Sequence, residues 1–187
     1  MGIKDYDTTI RLKPSKTVLT FSYVKRANAK LDNGDNTGAI EDYNEAIRLQ
    51  PKNAVILTVV YLNRGLARFN IGDTIGAIRD YSEVIRLKPK NAILASAYVH
   101  RATAKSKLGD NIGAIKDYDD TIRLALENAG FAAYVYSKRA AAKLEISDNE
   151  GAIEDNAIAA HLDPDLAEAY GEPGGDKVES WKPYGGW

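Results

Sequence analysis

The sequence of 187 residues contains no cysteine, which excludes disulfides, thiolate metal ligands and a thiol nucleophile. Its net charge of -1 gives no overall attraction to nucleic acid or to an anionic membrane, so we expect neither as a partner. No apolar run approaches the length of a membrane span, and the first residues are charged where a signal peptide would be apolar. These features favour a cytoplasmic location.

Catalytic motifs are also scarce. The chain has two histidines, His100 and His161, in different parts of the sequence, and no nucleophile stands at a motif spacing from either. There is no glycine-rich phosphate-binding loop. The many acidic residues recur periodically, as residues of a scaffold do. We therefore expect no enzymatic activity, no cofactor and no metal site.

What the sequence does contain is a repeat, the first feature to look for in any chain. The tripeptide Gly-Ala-Ile recurs at spacings of 38, 37 and 38 residues. A second motif, a tyrosine followed three residues later by an arginine, precedes each copy, and the N-terminus carries a fifth copy of the second half alone. The tripeptides begin at Gly38, Gly76, Gly113 and Gly151, and the tyrosines are Tyr23, Tyr61, Tyr98 and Tyr136.

Each repeat has the pattern of two α-helices, because apolar and small residues recur at steps of three and four. A glycine is expected to end the first helix in the left-handed conformation, and the polar residues after it to cap the second helix. A proline is expected to close the second helix. The glycines are Gly34, Gly72 and Gly109, the capping pairs begin at Asp35, Asp73, Asp110 and Asp148, and the prolines are Pro14, Pro51, Pro89 and Pro164.

These residues resemble the tetratricopeptide repeat, a helix–turn–helix unit with two aromatic positions, a small residue at the helix crossing, a Gly-Asp turn, an alanine and a terminal proline. In the second repeat they are Tyr61, Gly65, Gly72-Asp73, Ala77, Tyr81 and Pro89. The resemblance implies an all-α fold, a right-handed superhelical solenoid of antiparallel helix pairs over residues 2–170. Its four units are expected at 17–51, 54–89, 92–126 and 129–164, after a lone second helix at 2–13 and before a Gly/Pro/Trp tail at 171–187.

The repeat is longer than the ~34 residues typical of this family. The additional residues lie between the proline and the next tyrosine, so each first helix is expected to start about one turn early. The third repeat has Leu126 in place of the proline, which predicts a continuous or kinked helix at that junction.

One arginine and one aspartate recur in every repeat, on faces that are otherwise apolar. Charges in such places are expected to be paired, so we predict a series of Arg–Asp ion pairs between neighbouring helices. The residues are Arg26, Arg64, Arg101 and Arg139 in the first helices, and Asp5, Asp42, Asp80, Asp117 and Asp155 in the second.

A second basic series could be taken for a stripe that follows phosphates. Each member follows an acidic residue by about one helical turn, so the series is expected to form intrahelical pairs on a solvated face instead. The arginines are Arg11, Arg48, Arg86 and Arg123, and the acids are Asp7, Glu45, Glu83, and Asp119 or Asp120.

The resemblance also predicts a functional surface, because the first helices of such solenoids line a groove that binds a peptide or helix of a partner protein. We predict an interaction scaffold for an acidic or C-terminal peptide, with asparagine amides holding its backbone and lysines its carboxylates. The family's carboxylate clamp for chaperone tails is incomplete, because Val24 stands where the clamp has a lysine. The predicted groove residues are Val24, Lys25, Asn28, Leu62, Asn63, Leu66, Val99, His100, Thr103, Lys138 and Ala141, with Leu31, Phe69 and Lys107 one turn further along.

Other interpretations stay open. In the first interpretation, the face of the first helices is merely solvated and binds nothing. In another, the array begins with a second helix that lacks its first and ends with a first helix cut off after Tyr170, which suits either a piece of a longer array or head-to-tail homo-oligomers. The tail at 171–187 contains Trp181 and Trp187 and is either a built-in ligand or a flexible leader.

One stretch imitates a calcium site. Asn33, Asp35 and Thr37 alternate like the first ligands of an EF-hand loop. The equivalents of Asn33 in the other repeats are apolar, and Asn44 stands where such a loop needs a glutamate. The stretch is therefore predicted to be a turn between helices, in which Gly38-Ala39 allow the two helices to pack closely.

Overall fold

A computed structural model describes residues 2–124 and 128–164, and these residues form α-helices and no β-strand. The predicted all-α class is confirmed. Leu126 and the tail at 171–187 lie outside the described residues. The helices are α1 (Ile3–Arg11), α2 (Lys16–Asp32), α3 (Asn36–Arg48), α4 (Ala54–Asn70), α5 (Thr74–Leu87), α6 (Asn91–Lys107), α7 (Asn111–Leu124), α8 (Ala129–Glu145) and α9 (Asn149–Leu162).

The chain divides into two compact units, Met1–Pro89 (unit 1) and Lys90–Trp187 (unit 2). Unit 1 contains α1 followed by the pairs α2–α3 and α4–α5, and unit 2 contains the pairs α6–α7 and α8–α9. A second helix also packs against the first helix that follows it within the unit: α1 against α2, α3 against α4, and α7 against α8. Each unit is thus a stack of alternating first and second helices.

The first helices are long, as the extended period predicts. Each has 17 residues, whereas the second helices α3, α5, α7 and α9 have 13 or 14. Asn128, in extended conformation, accepts a hydrogen bond from the Phe131 N–H and so starts α8 anew. The expected continuous or kinked helix at Leu126 falls outside the described residues and stays a prediction.

The turns within the helix pairs are glycine turns with aspartate caps, as predicted. Gly34, Gly72 and Gly109 have φ of 79°, 85° and 81°. Asp35 Oδ1 then accepts a hydrogen bond of 2.9 Å from the Gly38 N–H, and the same bond recurs in each later repeat. The calcium-like stretch is thus a helix cap.

The predicted role of Gly38 in helix packing needs correction. A Cβ atom on Gly38 would lie 2.3 Å from Oδ2 of Asp35, so this glycine makes room for the carboxylate that caps its own helix. The glycine that permits close packing is Gly65, where a Cβ atom would lie 2.7 Å from the ring of Tyr81. Gly65 therefore sets the distance between α4 and α5.

The second helices of unit 1 end before their prolines. The residue that precedes each proline is left-handed, and this residue turns the chain out of the helix while proline prevents its continuation. These residues are Lys13, Gln50 and Lys88, with φ of 47°, 49° and 48°.

Each unit has its own apolar core, built from small first-helix residues and a second-helix tyrosine. The largest fully buried side chains are those of Tyr43, Tyr81 and Tyr118. Burial raises the pKa of each of these phenols. The unit 1 core contains Val24, Ala27, Ala39, Tyr43, Ala46 and Val60, and the unit 2 core contains Ala95, Val99, Ala102, Ala114, Tyr118, Phe131, Val135 and Ala142.

Candidate functional site

A buried aspartate in each helix pair binds an arginine in bidentate geometry. Asp80 is 2% exposed, and its Oδ2 and Oδ1 accept hydrogen bonds from Arg64 Nε at 2.9 Å and Nη2 at 2.6 Å. The predicted Arg–Asp pairs are confirmed in all four helix pairs, whereas Asp5 accepts a hydrogen bond from the Gly2 N–H. The other three pairs are Arg26–Asp42, Arg101–Asp117 and Arg139–Asp155.

A second cation binds each of these carboxylates, which the sequence analysis missed. Lys30 Nζ lies 3.0 Å from Asp42 Oδ2 and donates a hydrogen bond of 3.2 Å to the Gly38 carbonyl. Arg26 contacts Asp42, and Lys30, one turn further along α2, contacts Gly38, one turn further back on α3. The two helices are therefore antiparallel. Equivalent residues in the other pairs are Arg68, Lys105 and Lys143. The signal was available, because a lysine or arginine stands four residues after the motif arginine in all four copies.

Three of these arginines, Arg26, Arg64 and Arg139, also join their helix pair to the preceding second helix of the same unit. Arg26 Nη1 donates a hydrogen bond of 2.6 Å to Asp7 of α1, and its guanidinium lies over the Tyr23 ring, 5.5 Å from the centroid. The hydrogen bonds that Arg26 donates to Asp42 raise the pKa of Arg26, and those that Arg139 donates to Asp155 raise the pKa of Arg139. These arginines are therefore permanently charged links between three helices.

One expected intrahelical pair, Arg11–Asp7, is replaced by this arrangement, and of the two acids predicted for Arg123 it leaves Asp120. Asp7 pairs with Arg26, not Arg11, and Asp119 pairs with Arg139. The remaining pairs of the second basic series form as predicted on exposed faces: Arg48–Glu45, Arg86–Glu83 and Arg123–Asp120.

The buried carboxylates are thus bound to cations as parts of the scaffold. In the described ranges there is no group of three or more side chains suited to hold a metal ion. No helix among them is long and apolar enough to cross a membrane.

In unit 1 two of the predicted groove residues, Asn28 of α2 and Asn63 of α4, form a polar network. Asn28 Oδ1 accepts hydrogen bonds from the Tyr43 hydroxyl at 2.6 Å and from Asn63 Nδ2 at 3.2 Å. Leu62 and Leu66 are partly buried on the same helix as Asn63. The structure therefore brings both asparagines together, anchored on a buried tyrosine.

Lys25 lies one turn before Asn28 on α2. Its Nζ is 5.4 Å from the centroid of the Phe21 ring, and Phe21 is 54% exposed. Within residues 2–124 and 128–164, Lys25 makes no ion pair. An unneutralised cation thus stands beside an exposed aromatic ring, although sequence analysis did not include Phe21.

In unit 2 the predicted residues have varied surroundings. Desolvation lowers the pKa of His100 to about 4, so it is neutral at pH 7. Thr103 Oγ1 donates to the Val99 carbonyl at 2.9 Å, and Lys138 Nζ lies 5.6 Å from the centroid of the Tyr134 ring. Ala141 is exposed.

Two predicted groove residues belong to the cores instead. Val24 is 8% exposed within the unit 1 core, and Val99 is 3% exposed within the unit 2 core. Periodicity places them beside surface residues on the helix, but in the folded chain both are buried among core residues.

Comparisons with known proteins agree with this architecture. One matching family is described as "TPR repeat", over residues 27–72, and the other as "Tetratricopeptide repeat", over residues 59–91. No curated protein matches the sequence. The following solved structures are similar in fold.

A crystal structure of MamA has a TM-score of 0.75 and 22% identity, with 89% of each chain covered. A MamA structure from Desulfovibrio magneticus RS-1 has a TM-score of 0.68 and 20% identity, covering 84% of this chain and 82% of that one. YrrB, described as a TPR protein with an unusual peptide-binding site, has a TM-score of 0.73 and 15% identity, covering 89% and 79%. Residues 27–91 therefore carry tetratricopeptide repeats, and the repeated helix pairs with their aspartate-capped turns share the fold of these solved structures.

Proposed function

We propose that this protein is a non-catalytic interaction scaffold that binds a peptide or helix of a partner protein on the faces of its first helices. The observation that carries the proposal is a contrast between cations on α2. Arg26 and Lys30 are bound to Asp42, whereas Lys25 has no ion pair among the described residues. A lysine that the scaffold does not use is available to a ligand.

The asparagines of unit 1 suit the backbone of an extended peptide. Asn28 uses its carbonyl oxygen within the network, and Asn63 uses its Nδ2. Asn28 Nδ2 and Asn63 Oδ1 make no hydrogen bond to another described residue, so one donor and one acceptor are left. An extended peptide presents a carbonyl and an N–H of matching kind.

The proposed ligand is acidic or ends in a C-terminal carboxylate. Lysine ammonium groups form charge-assisted hydrogen bonds with carboxylates, and partly buried leucines beside the asparagines offer apolar contact. Each unit has its own proposed surface. That of unit 1 comprises Lys25, Asn28, Leu62, Asn63 and Leu66, and that of unit 2 comprises His100, Thr103 and Lys138. The description of YrrB as having a peptide-binding site supports this use of the fold.

Peptide selection tests the proposal. Random twelve-residue peptides displayed on phage are selected on the full chain, and selected peptides are measured by calorimetry against the variant Lys25→Ala/Asn63→Ala/Lys138→Ala. We expect at least a tenfold loss of affinity. The matched control is Lys52→Ala/Lys116→Ala, which removes two exposed lysines away from these faces. Equal affinities for the wild type and the triple variant would contradict the proposal.

Self-assembly is a second candidate, supported by the surface of α9. Ile153 is 68% exposed, whereas Ile115, its equivalent on α7, packs against the unit 2 core. A second copy of the chain is the proposed occupant. Sedimentation over a concentration series is expected to show oligomers that Ile153→Asp abolishes, and a wild-type monomer at all concentrations would exclude this candidate.

A further inference from the structure

We infer that the ligand of unit 1 is an extended internal segment of a partner protein, in which an apolar and an acidic side chain stand two positions apart. The acid is then a side chain and not the C-terminal carboxylate of the partner. The inference rests on the proposed function and decides between the two acidic ligands that it allows. It concerns one face of α2, which carries Val18, Phe21, Lys25 and Asn28.

These four residues lie in line along α2. They are three, four and three residues apart, the spacings at which side chains of an α-helix share a face. Val18 is 44% exposed and Phe21 is 54% exposed, whereas Lys25 and Asn28 are partly buried. The face thus passes from exposed apolar side chains, through a lysine, to a polar amide.

The order along this face argues against a terminal carboxylate. On one side of Lys25 lies the Phe21 ring, with its centroid 5.4 Å from Nζ, and on the other side, about one turn further, lies Asn28 with its partner Asn63. A ligand that ended in a carboxylate on Lys25 would contact only one of these neighbours. A ligand that continues past the lysine in both directions contacts both, so its anion is an aspartate or glutamate side chain.

The asparagines favour an extended ligand over a helical one. The network uses Asn28 Oδ1 and Asn63 Nδ2, whereas Asn28 Nδ2 and Asn63 Oδ1 make no hydrogen bond to another described residue. They offer a donor and an acceptor to backbone groups of a ligand. In a helix those backbone groups are already bonded to each other, whereas an extended segment leaves them unpaired.

The spacing within the ligand follows from that on α2. Four residues of an α-helix rise about 6 Å, so Phe21 and Lys25 are attached to α2 about 6 Å apart. In an extended chain, side chains two positions apart point to the same side at about 6.6 Å, and adjacent ones point to opposite sides. An apolar and an acidic residue separated by one other residue therefore contact the ring and the ammonium together.

Short peptides blocked at both ends test the spacing. The full chain, labelled with ¹⁵N, is titrated with N-acetyl-Ala-Leu-Ala-Asp-Ala-Ala-amide, and with N-acetyl-Ala-Asp-Ala-Leu-Ala-Ala-amide, which has the same spacing in the opposite chain direction. We expect at least one of them to shift the backbone amide signals of residues 18–28. It is expected to bind at least tenfold more tightly than its isomer with leucine and aspartate adjacent.

A further peptide tests the position of the acid. N-acetyl-Ala-Leu-Ala-Gly with a free C-terminal carboxylate carries the same charge, but at the end of its chain. We expect it to bind at least tenfold more weakly than the better of the two blocked peptides, because it cannot reach Phe21, Lys25 and the asparagines together.

Substitution of Phe21 identifies the contact of the leucine. Phe21→Ala is expected to weaken the better blocked peptide at least fivefold, and to leave the affinity of its analogue with alanine in place of leucine unchanged. The matched control is Ile75→Ala, which removes an exposed apolar side chain from α5 of the same unit and should change neither affinity. Circular dichroism spectra identical to the wild type establish that both variants are folded.

Four results would overturn the inference. They are equal affinities for the two spacings, equal binding of the terminal carboxylate, no shift with either chain direction, and an effect of Phe21→Ala that does not depend on the leucine. A wild-type dimer in sedimentation that Phe21→Ala abolishes would also overturn it, because a second copy would then occupy this face.

The peptides selected on phage separate this failure from that of the proposed function. If they lose affinity in the triple variant but the blocked peptides do not bind, the scaffold function stands and the inference about the ligand falls. If the selected peptides bind the wild type and the triple variant equally, both fall.

Discussion

Ser147 occupies the turn position that glycine has in the other three complete repeats. Its φ is 63°, in the left-handed region that glycine adopts without strain. Left-handed backbone costs other residues about 1–2 kcal/mol, so the fourth turn is less stable than its equivalents. A glycine at this position, as in the other repeats, would avoid this cost.

Substitution of this serine tests that reasoning. Ser147→Gly is expected to raise the free energy of unfolding by about 1 kcal/mol. Glycine relieves the backbone strain of the folded turn, and this gain exceeds the cost of ordering an unfolded chain that glycine makes more flexible. Urea unfolding followed by circular dichroism measures it. The reverse change, Gly109→Ser, should destabilise the chain by a similar amount, and an unchanged stability in both would show that the turn carries no strain.

His100 predicts a dependence of stability on pH. Burial lowers its pKa to about 4, whereas in the unfolded chain it is about 6.5, so on acidification the unfolded state binds a proton first. Stability is then lost as pH falls below 6.5, by about 2 kcal/mol between pH 7.5 and pH 5. Urea unfolding at the two pH values should show this loss in the wild type and a smaller one in His100→Gln. Identical losses would mean that the imidazole is hydrated when folded.

At the scale of helices, the Arg–Asp pairs determine how first and second helices are joined. Each aspartate is buried and bound to two cations, and each arginine spans the pair. Sequence periodicity predicted which residues pair, since the same two positions recur in every repeat. The second cation recurs with the same period and could have been predicted in the same way. The contact of Arg26 with Asp7 could not, because it depends on where the neighbouring helix comes close.

Loss of one arginine should therefore be costly. Arg64→Met leaves Asp80 buried with Arg68 alone, and is expected to destabilise the chain by about 3–5 kcal/mol, the range for breaking a buried ion pair. The matched control is Arg86→Met in the same unit, whose exposed pair with Glu83 should contribute less than about 1 kcal/mol. Equal effects in the two variants, measured by urea unfolding, would contradict a structural role for the buried pair.

At the scale of the whole molecule, charge is balanced and binding must depend on local groups. A net charge of -1 does not attract an acidic peptide from a distance. Attraction is expected to come from individual lysines such as Lys25. Such contacts are partly exposed and hence screened by salt.

Salt dependence follows from this. The affinity of a selected acidic peptide is expected to fall about tenfold between 50 mM and 500 mM NaCl, because the Debye length falls well below 10 Å over this range. Calorimetry at several salt concentrations measures the slope, which should be smaller for Lys25→Met than for Lys52→Met, the exposed control. A slope that Lys25→Met leaves unchanged would place the charge contact elsewhere.

The sequence alone determined the fold class, the helix pairs, the turns and the residues that pair across them, because these features depend on local conformation and recur at a fixed period. Tertiary structure decided which residues of the first helices are exposed at the surface and which are buried. Val24 and Lys25 are neighbours in the chain, yet the first is buried in a core and the second lies on an exposed phenylalanine. The physical reason is that burial depends on how closely the next helix approaches, which small residues such as Gly65 and the ion pairs set in three dimensions.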